Sequence, residues 1–366
     1  MRTWAEIDLA AIRRNATAMR SRLEGGSLVA VVKANAYGHG AARVAATLSG
    51  FADAFAVADP TEAEEILAHV GGKPVMCLYP LVGTDIARGV ALELGLVASS
   101  LDDVRAAESA ARQANAVARM HVKLNTGMNR HGMCADEAAE AVRWCRQRDH
   151  LHLVGVWTHL ASAEDPGDPF TREQARSLAE FGAEARVDPH VMHAANSGAA
   201  LNYGSLGCGA ARVGIALYGA YPSSATRREV ELSPALTWRA SITRVARLSE
   251  GEGVSYGLTF VAPRDMTVAT LSVGYGDGYP YAAAGSAHVL INGQRASVLG
   301  SVCMDSAVCD VSAIDGAAAG GTATLTGQDG GERIDAADVA SWSGTIPYEV
   351  FTRIGRRVRR QYINDV

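Results

Sequence analysis

The chain reads as an α/β protein. An N-terminal (β/α)8 barrel is expected over residues 1–232, and a C-terminal, mostly antiparallel β domain over 233–366. Eight short, nearly continuous apolar runs lie before residue 232. Segments of helical period separate most of them, among them TEAEEILAHV, SLDDVRAAESAARQAN and ADEAAEAVRWCRQR. Beyond 232 the helical stretches nearly vanish, and short β-like runs alternate with glycine-rich turns.

The apolar runs are LVAVVKA (28–34), AFAVA (54–58), PVMCL (74–78), LGLVA (94–98), ARMHVKLN (118–125), LVGVWTH (153–159), HVMHAAN (190–196) and AARVGIAL (210–217). Continuous apolar strands alternating with helices imply parallel strands covered on both faces. Eight such units fit a closed barrel. A doubly wound open sheet is the alternative, and its dinucleotide-binding form is disfavoured because no G-x-G-x-x-G follows the first run. The second domain is read from ALTWRASITRVARL, MTVATLSVGY, HVLINGQRASVLG, SAVCDVSA and GTATLTGQ, with turns such as NGQ and DGG.

Composition narrows the function classes. The 366 residues are 48% apolar and 20% charged, which excludes global disorder. A net charge of −5 offers no basic excess for a nucleic acid. No apolar run approaches a membrane span, and MRTWAEIDLAAIRRN lacks a signal-peptide core. The six cysteines form no C-x-x-C pair, so no metal site is expected, and a reduced, cytoplasmic protein is.

Of the 34 basic residues only Lys33, Lys73 and Lys123 are lysine. Where arginine serves every ordinary cationic role, a retained lysine points to chemistry arginine cannot do, such as a nucleophilic or Schiff-base amine. Lys73 sits in the turn GGKP and is read as solvated. Barrel sites lie at the C-terminal ends of the strands. Lys33 ends the first run and Lys123 the fifth; Arg130 follows the fifth, and His159 ends the sixth. Asn196, Ser197 and Gly198 follow the seventh, and Arg212 lies in the eighth ahead of Gly214 and Ile215. Each has an ordinary structural explanation alone: a snorkelling lysine, a bonded histidine, a turn. An arginine inside a β-like run, however, requires a partner or a ligand. A Schiff-base lysine with a phosphate site is what pyridoxal phosphate needs.

The segment AVVKANAYGHG (30–40) resembles the cofactor-lysine motif of the alanine racemases. The similarity continues through VKLNTGMNRHG (122–132), WTHLASAED (157–165), HAANSGAA (193–200), ARVGIALYG (211–219), GVSYGLTF (253–260), GYGDGYP (274–280), VCMD (302–305) and TIPYEV (345–350). It covers nearly the whole chain in order. The resemblance implies a fold-type III pyridoxal 5'-phosphate enzyme, a homodimer with shared active sites that interconverts L- and D-alanine to supply peptidoglycan.

By motif, Lys33 would hold the cofactor and act as base on one face of the substrate. Tyr256 of the partner subunit would act on the other. Tyr37, Asn196, Ser197, Tyr348 and the backbone of Gly214 and Ile215 would bind the cofactor, mainly its phosphate. Arg212 would face the pyridine nitrogen, and His159 would link it to Tyr256. Arg130, Met304, Tyr275 and Asp305 would serve the substrate, and Lys123 matches a position that is often carbamylated. The chain departs from the pattern at Tyr281, where arginine usually follows GYGDGYP, at Ser306 where glutamine is common, and at Asn125 where aspartate is frequent. A racemase of serine or another small amino acid, or a fold-type III decarboxylase using Cys303, are the competing readings; Tyr256 argues against the decarboxylase.

Overall fold

The computed structural model describes residues 2–365. The chain divides into two compact units, Ile12–Ser233 and a second made of residues 1–11 with Pro234–Val366.

The first unit is a closed eight-stranded parallel barrel of β2 (Ser27–Val31), β3 (Ala54–Val57), β4 (Val75–Cys77), β5 (Gly95–Ala98), β6 (Ala118–Lys123), β7 (Leu151–Trp157), β8 (Met192–His193) and β9 (Ala210–Val213). All eight fall inside the eight apolar runs or within two residues of them. Closure is made by β2 against β9, with Val29 opposite Arg212. The outer helices show why the sequence alternates. Leu101–Gln113 is capped by Ser100, carries Asp102 and Asp103 in its first turn and Arg112 in its last, and buries Val104, Ala107 and Ala111. Cap, charge order and apolar stripe agree.

The second unit is a nine-stranded sheet in the order β18-β17-β14-β15-β16-β13-β10-β1-β19. Its members are β1 (Thr3–Asp8), β10 (Leu236–Leu248), β13 (Met266–Leu271), β14 (His288–Ile291), β15 (Gln294–Leu299), β16 (Ala307–Asp310), β17 (Thr322–Asp329), β18 (Glu332–Ile334) and β19 (Arg359–Ile363). A separate ribbon pairs β11 (Gly253–Val254) with β12 (Phe260–Val261).

The reading of residues 1–232 as barrel needs one correction. Residues 1–11 belong to the β-rich unit, where β1 pairs antiparallel with β10 and parallel with β19. The reason is visible in TWAEID, whose buried positions alternate at Thr3, Ala5 and Ile7. That is the pattern of a strand covered on one face, not of a barrel strand. Trp238 seals this face, with its Nε1 donating to Thr3 Oγ1 at 2.8 Å. Two short helices, Ala336–Ser343 and Pro347–Thr352, also interrupt the β texture near the C-terminus.

Candidate active site

Lys33 follows β2 by one residue and opens an unusual turn. Ala34, Asn35, Ala36 and Tyr37 all have φ between 52° and 54°. Left-handed backbone at non-glycine residues costs roughly 1–2 kcal/mol per residue and persists only where the surroundings impose it. Here Glu62 accepts from Ala34 N and Ala58 N, both at 2.7 Å, and Asn35 Oδ1 accepts from Ala41 N at 2.8 Å. The turn leaves Lys33 half-buried, with Nζ 3.3 Å from Tyr79 Oη and 5.2 Å from that ring's centroid.

Arg212, in β9, is buried and organises the barrel interior. Its Nη1 contacts His193 Nδ1 at 2.8 Å and His193 O at 3.2 Å; its Nη2 contacts Thr158 O, Ala194 O and His159 Nδ1 at 2.9, 3.0 and 3.2 Å. A guanidinium only donates, so both Nδ1 atoms accept. The proton of neutral His193 is then on Nε2, from which it donates to His121 Nδ1 at 3.3 Å. One cation thus dictates the tautomers of His159, His193 and His121. Burial, reinforced by Arg212, holds all three imidazoles below their ordinary value, His121 at about 4. Burial also pulls Arg212 down to about 9. The His121 ring fits only because Gly95 and Gly155 flank it. A Cβ there would lie 2.8 Å from Nε2 and 2.6 Å from Nδ1 respectively.

Lys123 ends β6, with its Nζ 4.3 Å from the Trp157 ring centroid; Arg212 Cζ is 4.4 Å from the same ring. Burial, followed by the charges of Arg212, Arg130 and Lys33, pulls Lys123 down to about 7. Among the described residues, none of Lys33, Lys123, Arg130 and Arg212 is ion-paired with a carboxylate. The barrel mouth therefore carries uncompensated positive charge, a field suited to an anionic ligand.

A second set of donors surrounds Gly214. Ser197 Oγ accepts from Gly214 N at 2.9 Å and Ala216 N at 3.4 Å, which leaves the hydroxyl proton to donate elsewhere. The Tyr37 phenol lies so close that a Cβ on Gly214 would come within 2.9 Å of Cζ and closer still to Oη. Asn196 caps the helix Ser197–Tyr203 through Ala199 N at 3.0 Å. Hydroxyl donors, a glycine that keeps the space open and the cationic mouth match the needs of a phosphorylated pyridoxal.

The remaining expected residues lie in the β-rich unit. Tyr256, on the turn after β11, and Met304 are well exposed, at 77% and 53%. Tyr275 N donates to Cys303 O at 3.0 Å, and Gly276 N to Met304 O at 2.9 Å, so the Tyr275 and Met304 loops are joined backbone to backbone. Tyr348 lies in the helix Pro347–Thr352, and Asp305 pairs with Arg357 at 2.6 Å. Tyr79, Trp157, His193 and His121 were not singled out from the sequence. Tyr79 follows the strand-end run PVMCL and could have been found by the same strand-end rule; the other three read as ordinary core.

Two family models match the chain in tandem, the N-terminal domain of alanine racemase over residues 7–222 and its C-terminal domain over 235–362. The chain belongs to the alanine racemase family. It is thus a member of an isomerase family whose enzymes depend on pyridoxal phosphate. Alanine racemase of Symbiobacterium thermophilum is 39% identical over 98% of this chain and 97% of its own length. The solved alanine racemase of Streptomyces coelicolor superposes with a TM-score of 0.94 at 35% identity, covering 100% of this chain and 98% of that one. The alanine racemase structure from Bartonella henselae, described with covalently bound pyridoxal phosphate, has a TM-score of 0.90 at 25% identity, covering 99% of this chain and 100% of that one. Among its described residues, no group of side chains could hold a metal ion, and no helix is long and apolar enough to cross a membrane.

Proposed function

We propose that this chain interconverts L-alanine and D-alanine with pyridoxal 5'-phosphate attached to Lys33. Tyr256 of the partner subunit is the second base in a homodimer with shared sites. The carrying observation is the half-buried Lys33 at a barrel strand end, in a cationic mouth that also contains Arg212.

Pyridoxal phosphate, when bound, supplies an electron-withdrawing ring that acidifies the substrate Cα–H. Tyr37, Ser197, Tyr348 and the backbone at Gly214 and Ile215 would hold its phosphate, Gly214 by orienting the Ser197 hydroxyl through its own N–H at 2.9 Å. Arg212 spends its terminal nitrogens on the protein, and its Nε would be the donor offered to the pyridine nitrogen. A guanidinium gives up protons poorly, so Arg212 would not protonate that nitrogen, and side reactions that need a strong electron sink would be disfavoured. Lys33 Nζ takes or returns the Cα proton on one face, and Tyr256 Oη of the partner subunit does so on the other. Two bases on opposite faces invert the centre without turning the substrate over. The His159 tautomer set by Arg212 leaves Nε2–H as a donor toward that phenol oxygen, favouring its basic form. Arg130 and the Met304 N–H hold the substrate carboxylate, with Tyr275 and Asp305 bounding the pocket. A neutral Lys123 amine, favoured by a pKa of about 7, can add carbon dioxide and lose one N–H proton to solvent, forming a carbamate beside Arg130. The six free thiols agree with a reducing, cytoplasmic setting, where D-alanine would feed peptidoglycan synthesis.

The test is a visible spectrum of purified protein before and after borohydride, with peptide mapping and racemisation assays on alanine and serine. A yellow band removed by borohydride, label on Lys33 and turnover of alanine over serine are expected. A protein that stays colourless with added pyridoxal phosphate, or label on another lysine, refutes the proposal.

A further inference from the structure

The only fully buried carboxylate among the described residues is Asp277, in the β-rich unit. Arg2 Nη2 reaches its two oxygens at 2.7 and 2.6 Å, and Arg357 Nε lies 2.7 Å from Oδ1. Asp277 Oδ2 also accepts from Gly274 N at 2.9 Å. The same two guanidiniums continue into the Met304 loop. Arg357 Nη2 contacts Asp305 Oδ1 at 2.6 Å and Met304 O at 3.3 Å, while Arg2 Nη1 donates to Asp305 O at 3.2 Å. Arg2 Nη1 additionally holds Ser272 O at 3.0 Å, where the Tyr275 loop leaves its strand.

Two cations and two anions thus form a closed, neutral cluster with one buried member. A buried charge in such a network is costly to strip of partners, because the remaining charge is left uncompensated. The two loops have no slack of their own. A Cβ on Gly276 would lie 2.5 Å from Arg357 Nη2 and 3.0 Å from Met304 O. They are locked together, and the lock is turned from outside either loop.

We propose that Arg2 and Asp277 are positioning residues for the substrate pocket, holding the Tyr275 and Met304 loops at one fixed separation. The proposal rests on the assignment of those loops to the substrate made above. Arg2 contacts no reacting atom. It acts through the carboxylate of Asp277 and the carbonyls of Ser272 and Asp305, so a residue just ahead of β1 sets the geometry that receives a small carboxylate.

The experiment compares wild-type holoenzyme with Arg2→Ala by hydrogen exchange of peptides covering 272–280 and 301–306, alongside KM and kcat for alanine. Loss of a charge-assisted bond to each loop should speed exchange in both peptides about tenfold and raise KM about tenfold, with kcat changed less than about threefold. Exchange across β6 should not move, and Arg2→Lys, which keeps one donor to Asp277, should recover part of both effects. If Arg2→Ala does not fold, Arg357→Gln is read in the same peptides with the same expectation. Unchanged exchange in the two peptides overturns the proposal. Faster exchange with unchanged KM also overturns it, and does so by showing that these loops do not bind the substrate. Absence of alanine turnover in the wild type, with exchange as expected, falls instead on the functional assignment.

Discussion

Gly214→Ala isolates the phosphate cradle from the rest of the site. An added Cβ would lie 2.9 Å from Tyr37 Cζ and 3.4 Å from Cε2, with Oη nearer than either. Restoring an ordinary contact requires the phenol to retreat by about 1 Å, because packed carbon and oxygen atoms do not tolerate less than roughly 3.4 Å. The space behind it is taken. The Tyr37 ring is 5.0 Å from that of Tyr218, which is pinned by its hydroxyl to Val31 O at 2.9 Å and stacked on His39 at 4.5 Å. Overpacking of this kind costs about 1–3 kcal/mol of stability. Displacing one hydroxyl donor from a charged phosphate costs about 1.5–3 kcal/mol, or roughly 10–150-fold in affinity. The assay is a fluorescence titration of the cofactor-free protein with pyridoxal phosphate and, in parallel, with pyridoxal. The variant should lose affinity for the phosphorylated compound only, and adding Tyr37→Phe should relieve part of the stability loss. Equal losses for both compounds, or no loss, would refute the assignment of Tyr37 and Gly214 to the phosphate.

Other consequences are open to direct measurement. Lys123 is pulled down to about 7 from 10.5, so between those values the unfolded chain binds more protons and stability rises with pH. Denaturant unfolding of wild type and Lys123→Met at both ends of that window should show the wild type gaining on the variant as pH rises; a constant difference contradicts the depressed pKa. Nitrogen NMR of labelled histidines should find His193 protonated at Nε2 and bare at Nδ1, and the opposite tautomer would break the donor chain from Arg212. Inactive Lys33→Ala and Tyr256→Phe proteins, mixed under verified subunit exchange, should recover part of the wild-type activity. No recovery means that each site is built from one subunit.

The barrel was legible because eight buried parallel strands leave eight continuous apolar runs, and Lys33, Lys123, His159 and Arg212 do lie at or next to the ends of β2, β6, β7 and β9, as the runs imply. β1 was misplaced because a six-residue alternating strand beside a helix looks like the opening of a βα unit, and its partners lie far along the chain. The left-handed turn after Lys33 was invisible, since Ala-Asn-Ala-Tyr carries no glycine to announce positive φ and the conformation is imposed by Glu62 and Asn35. His121 and His193 looked like core residues, and in burial they are. What distinguishes them is the direction of their hydrogen bonds, which depends on an arginine arriving from a different strand.

The pairing of β1 with β10 and β19 bears on how the chain is made. Thr3 sits opposite Ala240. At a ribosomal pace of roughly 5–20 residues per second, that partner emerges about 10–50 s after its mate. The barrel's own closing pair, Val29 with Arg212, is complete before β10 begins. During synthesis, therefore, one domain is finished inside another that has only its first strand. That strand waits as an unsatisfied edge with alternate apolar side chains, the kind of surface that invites misassembly. A circular permutant opened between Ser233 and Pro234 would make the β-rich unit contiguous and end that wait, trading a nested order of folding for a sequential one.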